Sequence, residues 1–193
     1  KKKIKYDKVL MVDACSIPKW DCPDFFKLVG NNLCGVIELD NLKWVYESVK
    51  GYKDIFNGFE LNINKYIYSG MVIFNKTHRD LFQKFKNFYL ENIDEFTDLQ
   101  TKTVQRGTCQ TPLNYFIQMN NIKVDFLPQT FRLSHLHRRE ALRHNWQMDN
   151  TEYEDKTPFF IKYGYIWVFS GFGKEHRNDL MKQTWEIVKG NYE

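Results

Sequence analysis

The side chains of this chain best placed to do chemistry gather in a few short stretches. The apolar run Val9-Leu10-Met11-Val12 ends on the carboxylate of Asp13, with the thiol of Cys15 two residues later. A carboxylate at the end of a strand is a candidate ligand for a hard divalent cation or a polar donor group. It equally suits a cap on the turn that Ser16 and Pro18 announce. Cys15 as a thiolate would suit zinc and softer ions better than magnesium or manganese. The preferred reading is the ordinary one for a free thiol, a small buried hydrophobe. Cys109 poses the same choice just ahead of a helix start, where a thiol pKa tends to fall and reactivity to rise. There too the unreactive reading is preferred. Lys174, after Gly171 and Gly173, reads equally as a point charge for a diphosphate or as an exposed lysine opening a helix.

The elements that must position these groups are legible in outline. Lys8 to Val12 is a short continuous apolar run of the kind found in a central strand buried on both faces. Leu33 to Leu39 and Met71 to Phe74 read as further strands, and Asp40 to Asn64 as an aromatic-rich excursion outside the sheet. A helix is predicted from about Arg79 to about Asp98, with Thr77 as N-cap and Asp80 three residues on. Its Leu81, Phe82, Phe85, Phe88, Tyr89 and Phe96 fall mostly on one stripe. A second helix is expected to begin at Thr111 as cap, with Pro112 in the first turn and Leu113, Phe116 and Ile117 facing inward. Its N–H groups would favour an anion beside Cys109 and Gln110. A third runs from about Arg177 to Lys189, stopped by Gly190. This order of strands and helices indicates an α/β fold.

Composition bounds the class. The 193 residues suit a single domain spanning 1–193, and 42% hydrophobic with 17% aromatic content supports a packed core. A net charge of +4 is too small to argue for nucleic acid, and the clusters Lys1 to Lys5 and Arg138, Arg139 and Arg143 read as solvated faces. No apolar run approaches the ~20 residues that span a bilayer, and no signal-peptide stretch opens the chain. The expected localisation is therefore intracellular, cytoplasmic, unless this is a processed or truncated piece. The cysteines at 15, 22, 34 and 109 show no Cys-x-x-Cys spacing and are read as reduced. The sequon Asn75-Lys76-Thr77 carries little weight, being common by chance.

Four blocks, in order, resemble one family. Asp13-Ala14-Cys15 followed by Cys22-Pro23-Asp24-Phe25-Phe26 is similar to the Asp-x-Asp segment of GT-A glycosyltransferases of family eight, the glycogenin and galactosyltransferase group. Tyr66 to Asn75 is similar to that family's Phe-Asn-Ser-Gly-Val-Met-Val-Phe-Asn, and Cys109 to Asn114 to its Asp-Gln-x-x-Leu-Asn. Trp167 to Lys174 is similar to His-Phe-x-Gly-x-x-Lys. The resemblance implies a mixed sheet with flanking helices, the C-terminal portion of a GT-A nucleotide-diphospho-sugar transferase fold. Only seven residues precede Lys8, so the N-terminal nucleotide-binding half is expected to be missing. Sheet edges left bare would favour association, with another copy or with that half.

The resemblance further implies transfer of a hexose from a UDP-sugar with retention, using manganese or magnesium, to an acceptor the residues do not name. Asp13 becomes the expected metal and donor ligand, with Tyr68, Ser69, Gly70, Gly171 and Lys174 on the donor and Cys109 and Gln110 at the catalytic Asp-Gln position. The departures fall on chemical positions. Cys15 stands for the second metal Asp, Tyr68 for the donor-contacting Asn, Cys109 for the Asp of Asp-Gln, and Val168 for the metal His. Loss of function, a redesigned pocket and a changed activity all fit this pattern. Weak metal binding and impaired transfer are expected, with a noncatalytic glycan- or protein-binding pseudoenzyme as the rival reading. His135-x-His137 with His144 lacks the cysteine or carboxylate that would complete a zinc set, and with Arg138 and Arg139 equally suits an acceptor groove.

Overall fold

The computed structural model describes residues 6–40, 42–102, 109–132, 157–171 and 173–192. The expected basic and histidine cluster at 135–144 lies outside them. The chain forms two compact units, Lys1–Met11 with Phe26–Leu127, and Val12–Phe25 with Pro128–Glu193.

The first unit is built on a four-stranded sheet in the order β1 (Lys8–Val12), β4 (Ile67–Asn75), β3 (Leu33–Ile37), β5 (Val124–Leu127). β3 runs antiparallel to β4 and parallel to β5, so the sheet is mixed. The register between β3 and β4 shifts between Gly35 and Ile37. A Cβ on Gly35 would stand 3.3 Å from the Ile67 side chain, a tight contact that would oblige Ile67 to shift.

The expectation that Lys8 to Val12 is a central strand buried on both faces is corrected. β1 lies at an edge of the sheet, and Val9, Met11 and Val12 are 39%, 41% and 36% exposed. A run of four apolar residues signals a strand without signalling its neighbours, because pairing is decided by residues far away in sequence. The excursion after β3 is ordered and largely helical, α2 (Leu42–Tyr52) followed by turns. Here Tyr52, Phe56, Tyr66, Phe96 and Tyr115 close a buried aromatic cluster, with the Phe56 and Tyr115 rings stacked at 4.3 Å. A second cluster, Leu33, Ile67, Val72, Leu81, Leu113 and Ile117, joins sheet to helices.

The long helix predicted from Arg79 to Asp98 is two, α3 (Arg79–Glu91) and α4 (Ile93–Lys102). Asn92 separates them: its side-chain Nδ2 donates to the Phe88 carbonyl at 2.8 Å, a local bond that competes with continued helix. The predicted cap is displaced as well. Asn75, not Thr77, opens the segment, accepting from the Thr77 N–H while His78 Nδ1 accepts from the Asn75 N–H across a one-turn 3₁₀ helix. The sequon asparagine is thus a structural cap, and its Nδ2 donates to the Asn31 carbonyl. The inward stripe stands as expected, with Phe96 fully buried and Phe82, Phe85, Phe88 and Tyr89 packed on the two clusters. α5 (Gln110–Met119) follows with Pro112 in its first turn.

The second unit holds a two-stranded antiparallel ribbon, β2 (Ser16–Pro18) with β6 (Ile166–Val168), and the helices α6 (Phe159–Tyr163) and α7 (Lys174–Val188). Helix α1 (Phe25–Leu28) falls where the chain passes from this unit back to the first. Trp167, Phe169, Phe160, Ile161 and Val188 form the core, edged by Cys15, Ile17, Leu180 and Met181. Predicted to start near Arg177, α7 starts three residues earlier. Its C-terminal turn, Lys189–Asn191, is 3₁₀ with Gly190 at an ordinary negative φ, so Gly190 does not act as the left-handed stop. Among the described residues no helix is long and apolar enough to cross a membrane.

Candidate functional site

In the first unit, the start of β4 meets the first turn of α5. Ser69 donates from its backbone N–H to Gln110 Oε1 at 3.1 Å and from its hydroxyl to the same oxygen at 3.3 Å. Its hydroxyl also lies 3.9 Å from Cys109 Sγ. Gln110, itself buried, donates from Nε2 to Glu38 Oε2 at 3.4 Å, and Glu38 Oε1 accepts from the Asp40 N–H at 3.0 Å. Ser69, Cys109 and Gln110 are therefore brought together. Tyr68 and Gly70, adjacent on β4, are both buried, and Tyr68 is 5% exposed.

One residue sets this geometry. Asn114, 1% exposed on α5, accepts from the Ile67 N–H through Oδ1 at 2.7 Å and donates through Nδ2 to the Ile67 carbonyl at 2.8 Å. The side-chain amide thus serves Ile67 as a neighbouring strand would, and a further bond from Nδ2 to the Gln110 carbonyl at 2.8 Å ties it to the helix start. Thr111, expected as the cap, lies inside the helix instead, its hydroxyl held between Ser48 Oγ at 2.5 Å and the Tyr66 hydroxyl at 2.7 Å. Burial pushes the Tyr66 phenol well above its usual range, against the opposing bonds from Thr111 and Gln110. Cys109 takes the N-cap position, exposed and without a side-chain capping bond.

Sequence reasoning missed Glu38, Ser48, Tyr66 and the role of Asn114. Glu38 carried the same signal as Asp13, a carboxylate closing an apolar strand, but an expected strand reaching Leu39 concealed it.

In the second unit, the segments carrying Asp13, Cys15 and Val168 converge through the ribbon. Ser16 pairs with Val168, and the Phe169 N–H donates to the Cys15 carbonyl at 2.8 Å. Cys15 is half-buried against the apolar cluster of Trp167 and Phe169, whereas Asp13 is exposed. Burial, and after it the charge of Asp13, raises the Cys15 thiol above its ordinary value, with Arg177 opposing. Val168 is fully buried, and its pairing partner Ser16 has a buried hydroxyl with no hydrogen-bond partner among the described residues. Gly171 is exposed at φ 82°, a conformation that favours glycine, and Lys174 is exposed as the first residue of α7. The Asp13 group and the Gln110 group belong to different units.

These residues do not fit a manganese or magnesium ion. Hard cations require several oxygen ligands, and a coordinating thiol must be deprotonated. Here one carboxylate stands beside a thiol held neutral and a valine. Among the described residues no group of three or more His, Cys, Asp or Glu side chains could hold a metal.

Comparison with known proteins places the fold. No family model matches the chain, and no curated protein matches it in sequence. Among solved structures, the apo bifunctional glycosyltransferase WbbM is similar over 97% of this chain, at 16% identity and a TM-score of 0.52. The galactosyltransferase LgtC, in complex with donor and acceptor sugar analogues, is similar over 96% at 16% identity, with a TM-score of 0.45. The chain spans 35% of the WbbM chain and 66% of the LgtC chain. The architecture is α/β, with a mixed sheet and flanking helices, similar in fold to the WbbM glycosyltransferase.

Proposed function

We propose that this chain is a glycosyltransferase-like domain of the family-eight, GT-A kind, derived from enzymes that transfer a hexose from a UDP-sugar with retention, and that its metal-assisted transfer is impaired. The observation that carries the reading is the fate of the expected metal positions. Cys15 is a neutral thiol packed on an apolar cluster, and Val168 is a buried side chain with no donor atom. The Ser69, Gln110 and Asn114 contacts, made by residues of the family-like blocks, support a transferase-like scaffold. Gln110 and Ser69 would position the donor sugar, and the exposed Lys174 would meet its diphosphate as a point charge. Manganese or magnesium, the ion that relatives use to neutralise the leaving diphosphate, would bind weakly. A noncatalytic module binding a glycan or protein is the second reading, favoured by the burial of Tyr68 where relatives carry a donor-contacting Asn.

Calorimetric titration with manganese and UDP tests the account, and the expected result is no tight, saturable event. A parallel assay follows UDP-hexose hydrolysis by this chain and by the combined variant Cys15→Asp, Tyr68→Asn, Cys109→Asp, Val168→His. Single reversions should do little, because groups acting as a unit are strongly non-additive. Micromolar manganese binding by the unaltered chain, or turnover equal to that of the combined variant, would overturn the assignment.

A further inference from the structure

A second concave site lies in the first unit at the opposite end of α5 from Gln110. It is a cavity of about 600 Å³ between the end of that helix, the segment around Asn62 and the start of β5. That volume lies within the range of small-ligand sites. Its walls are held in place by side-chain amides. Gln118 accepts from the Asn62 N–H at 2.9 Å and donates to the Asn62 carbonyl at 3.0 Å, pinning that segment to α5. On the other side, Asn32 Nδ2 donates to Asp125 Oδ1 at 3.0 Å and fixes the carboxylate plane.

Several polar groups of the lining remain uncommitted. Asp125 Oδ2, the Asn121 amide and the Lys65 and Lys123 ammonium groups have no hydrogen-bond or ion-pair partner among the described residues. Asn121 sits at φ 51°, so its backbone is committed to a conformation rare for residues with a side chain. Two aromatic rings, Phe59 and Phe126, complete the lining, and Phe126 is 41% exposed. Lys65 and Lys123 stand against Glu60 and Asp125 in the lining, and Glu60 also pairs with Lys53, so charges of both signs are interspersed and neither sign forms a patch. Closely mixed donors and acceptors suit vicinal hydroxyls, which both give and accept hydrogen bonds. An aromatic face, negative at its centre, suits the weakly positive C–H face of a pyranose ring. We infer that this cavity is a binding site for a neutral oligosaccharide, remote from the Gln110 cluster. The inference stands on the lining chemistry and does not rest on the transferase reading.

The test is titration of the isotope-labelled 193-residue chain with lactose, maltotetraose, cellotetraose and chitotetraose, followed by amide chemical shifts, with glucose 1-phosphate as the charged comparison. At least one neutral sugar should give saturable shifts centred on Asn62 and Lys123 to Phe126. Asp125→Asn keeps the Asn32 contact but removes the charge, and should weaken that binding about tenfold. Asn121→Gly removes the amide at a backbone angle glycine tolerates, so weakened binding by that variant with an otherwise unchanged spectrum supports the site. No saturable shift with any of the four sugars overturns the inference. So does binding of glucose 1-phosphate alone, shifts centred on Ser69 and Gln110 instead, or neutral-sugar affinity unchanged in both variants.

Discussion

Asn114 joins α5 to β4 by two hydrogen bonds to Ile67, and makes a third within α5, from a side chain that is 1% exposed, so its replacement by Leu tests how the site is positioned. The two side chains branch alike, with leucine the bulkier, and the substitution leaves no cavity. What it leaves is the Ile67 N–H and carbonyl, both buried and facing a methyl group. Each orphaned group costs about 1–3 kcal/mol, so the pair costs roughly 2–6 kcal/mol. The Gln110 carbonyl adds less, because it keeps its helical N–H partner. Apolar burial of the new side chain returns about 1 kcal/mol, for a net loss of roughly 1–5 kcal/mol. That is a large share of the ~5–15 kcal/mol by which domains are stable. In urea, with a slope of ~2 kcal/mol/M, the unfolding midpoint should fall by roughly 0.5–2.5 M. Asn114→Asp keeps the acceptor for the Ile67 N–H but turns a carboxylate oxygen toward two carbonyls. It should be the more destabilised variant at pH 7 and should recover as pH falls and the carboxyl protonates. An Asn114→Leu midpoint equal to that of the parent, or an Asp variant indifferent to pH, would refute this account of the α5 and β4 junction.

Thr111→Val removes the hydroxyl between Ser48 and Tyr66 and should cost about 1–3 kcal/mol in the same urea assay; an unchanged midpoint would mean the three hydroxyls do not act together. Burial lowers the His78 pKa below its ordinary 6.5, so the folded state binds its proton less readily than the unfolded chain. Stability from this residue is therefore complete above pH 6.5 and lost as pH falls toward the folded pKa, and His78→Asn should flatten that part of the urea midpoint profile. Alkylation with iodoacetamide at mildly alkaline pH, read by peptide mass spectrometry, should label exposed Cys109 first. Buried Cys34, its thiol pushed up to about 11 by burial and by Asp125, should be labelled last, and equal rates would contradict the placement of β3.

Much of the local structure was legible because a helix repeats its inward face every three to four residues. Leu81, Phe85 and Phe96 declared a buried stripe, and Pro112 declared a first turn, without reference to the rest of the chain. The four family-like blocks located Ser69, Cys109 and Gln110, which the fold brings into contact. Three things lay beyond local pattern. Asn92 breaks a stripe that continues across it, because a single side-chain amide captures the Phe88 carbonyl. β1 lies at a sheet edge because its neighbours are set by pairing, which an apolar run does not encode. The groups that hold the site, Asn114 with Ile67 at a separation of 47 and Ser48 with Thr111 at 63, are partners only once α5 has docked. The residue types of this chain determined which faces are buried and that a thiol and a valine stand at positions 15 and 168. Only the tertiary structure decided which buried polar groups satisfy one another, since that cost is settled by contacts between residues far apart in sequence.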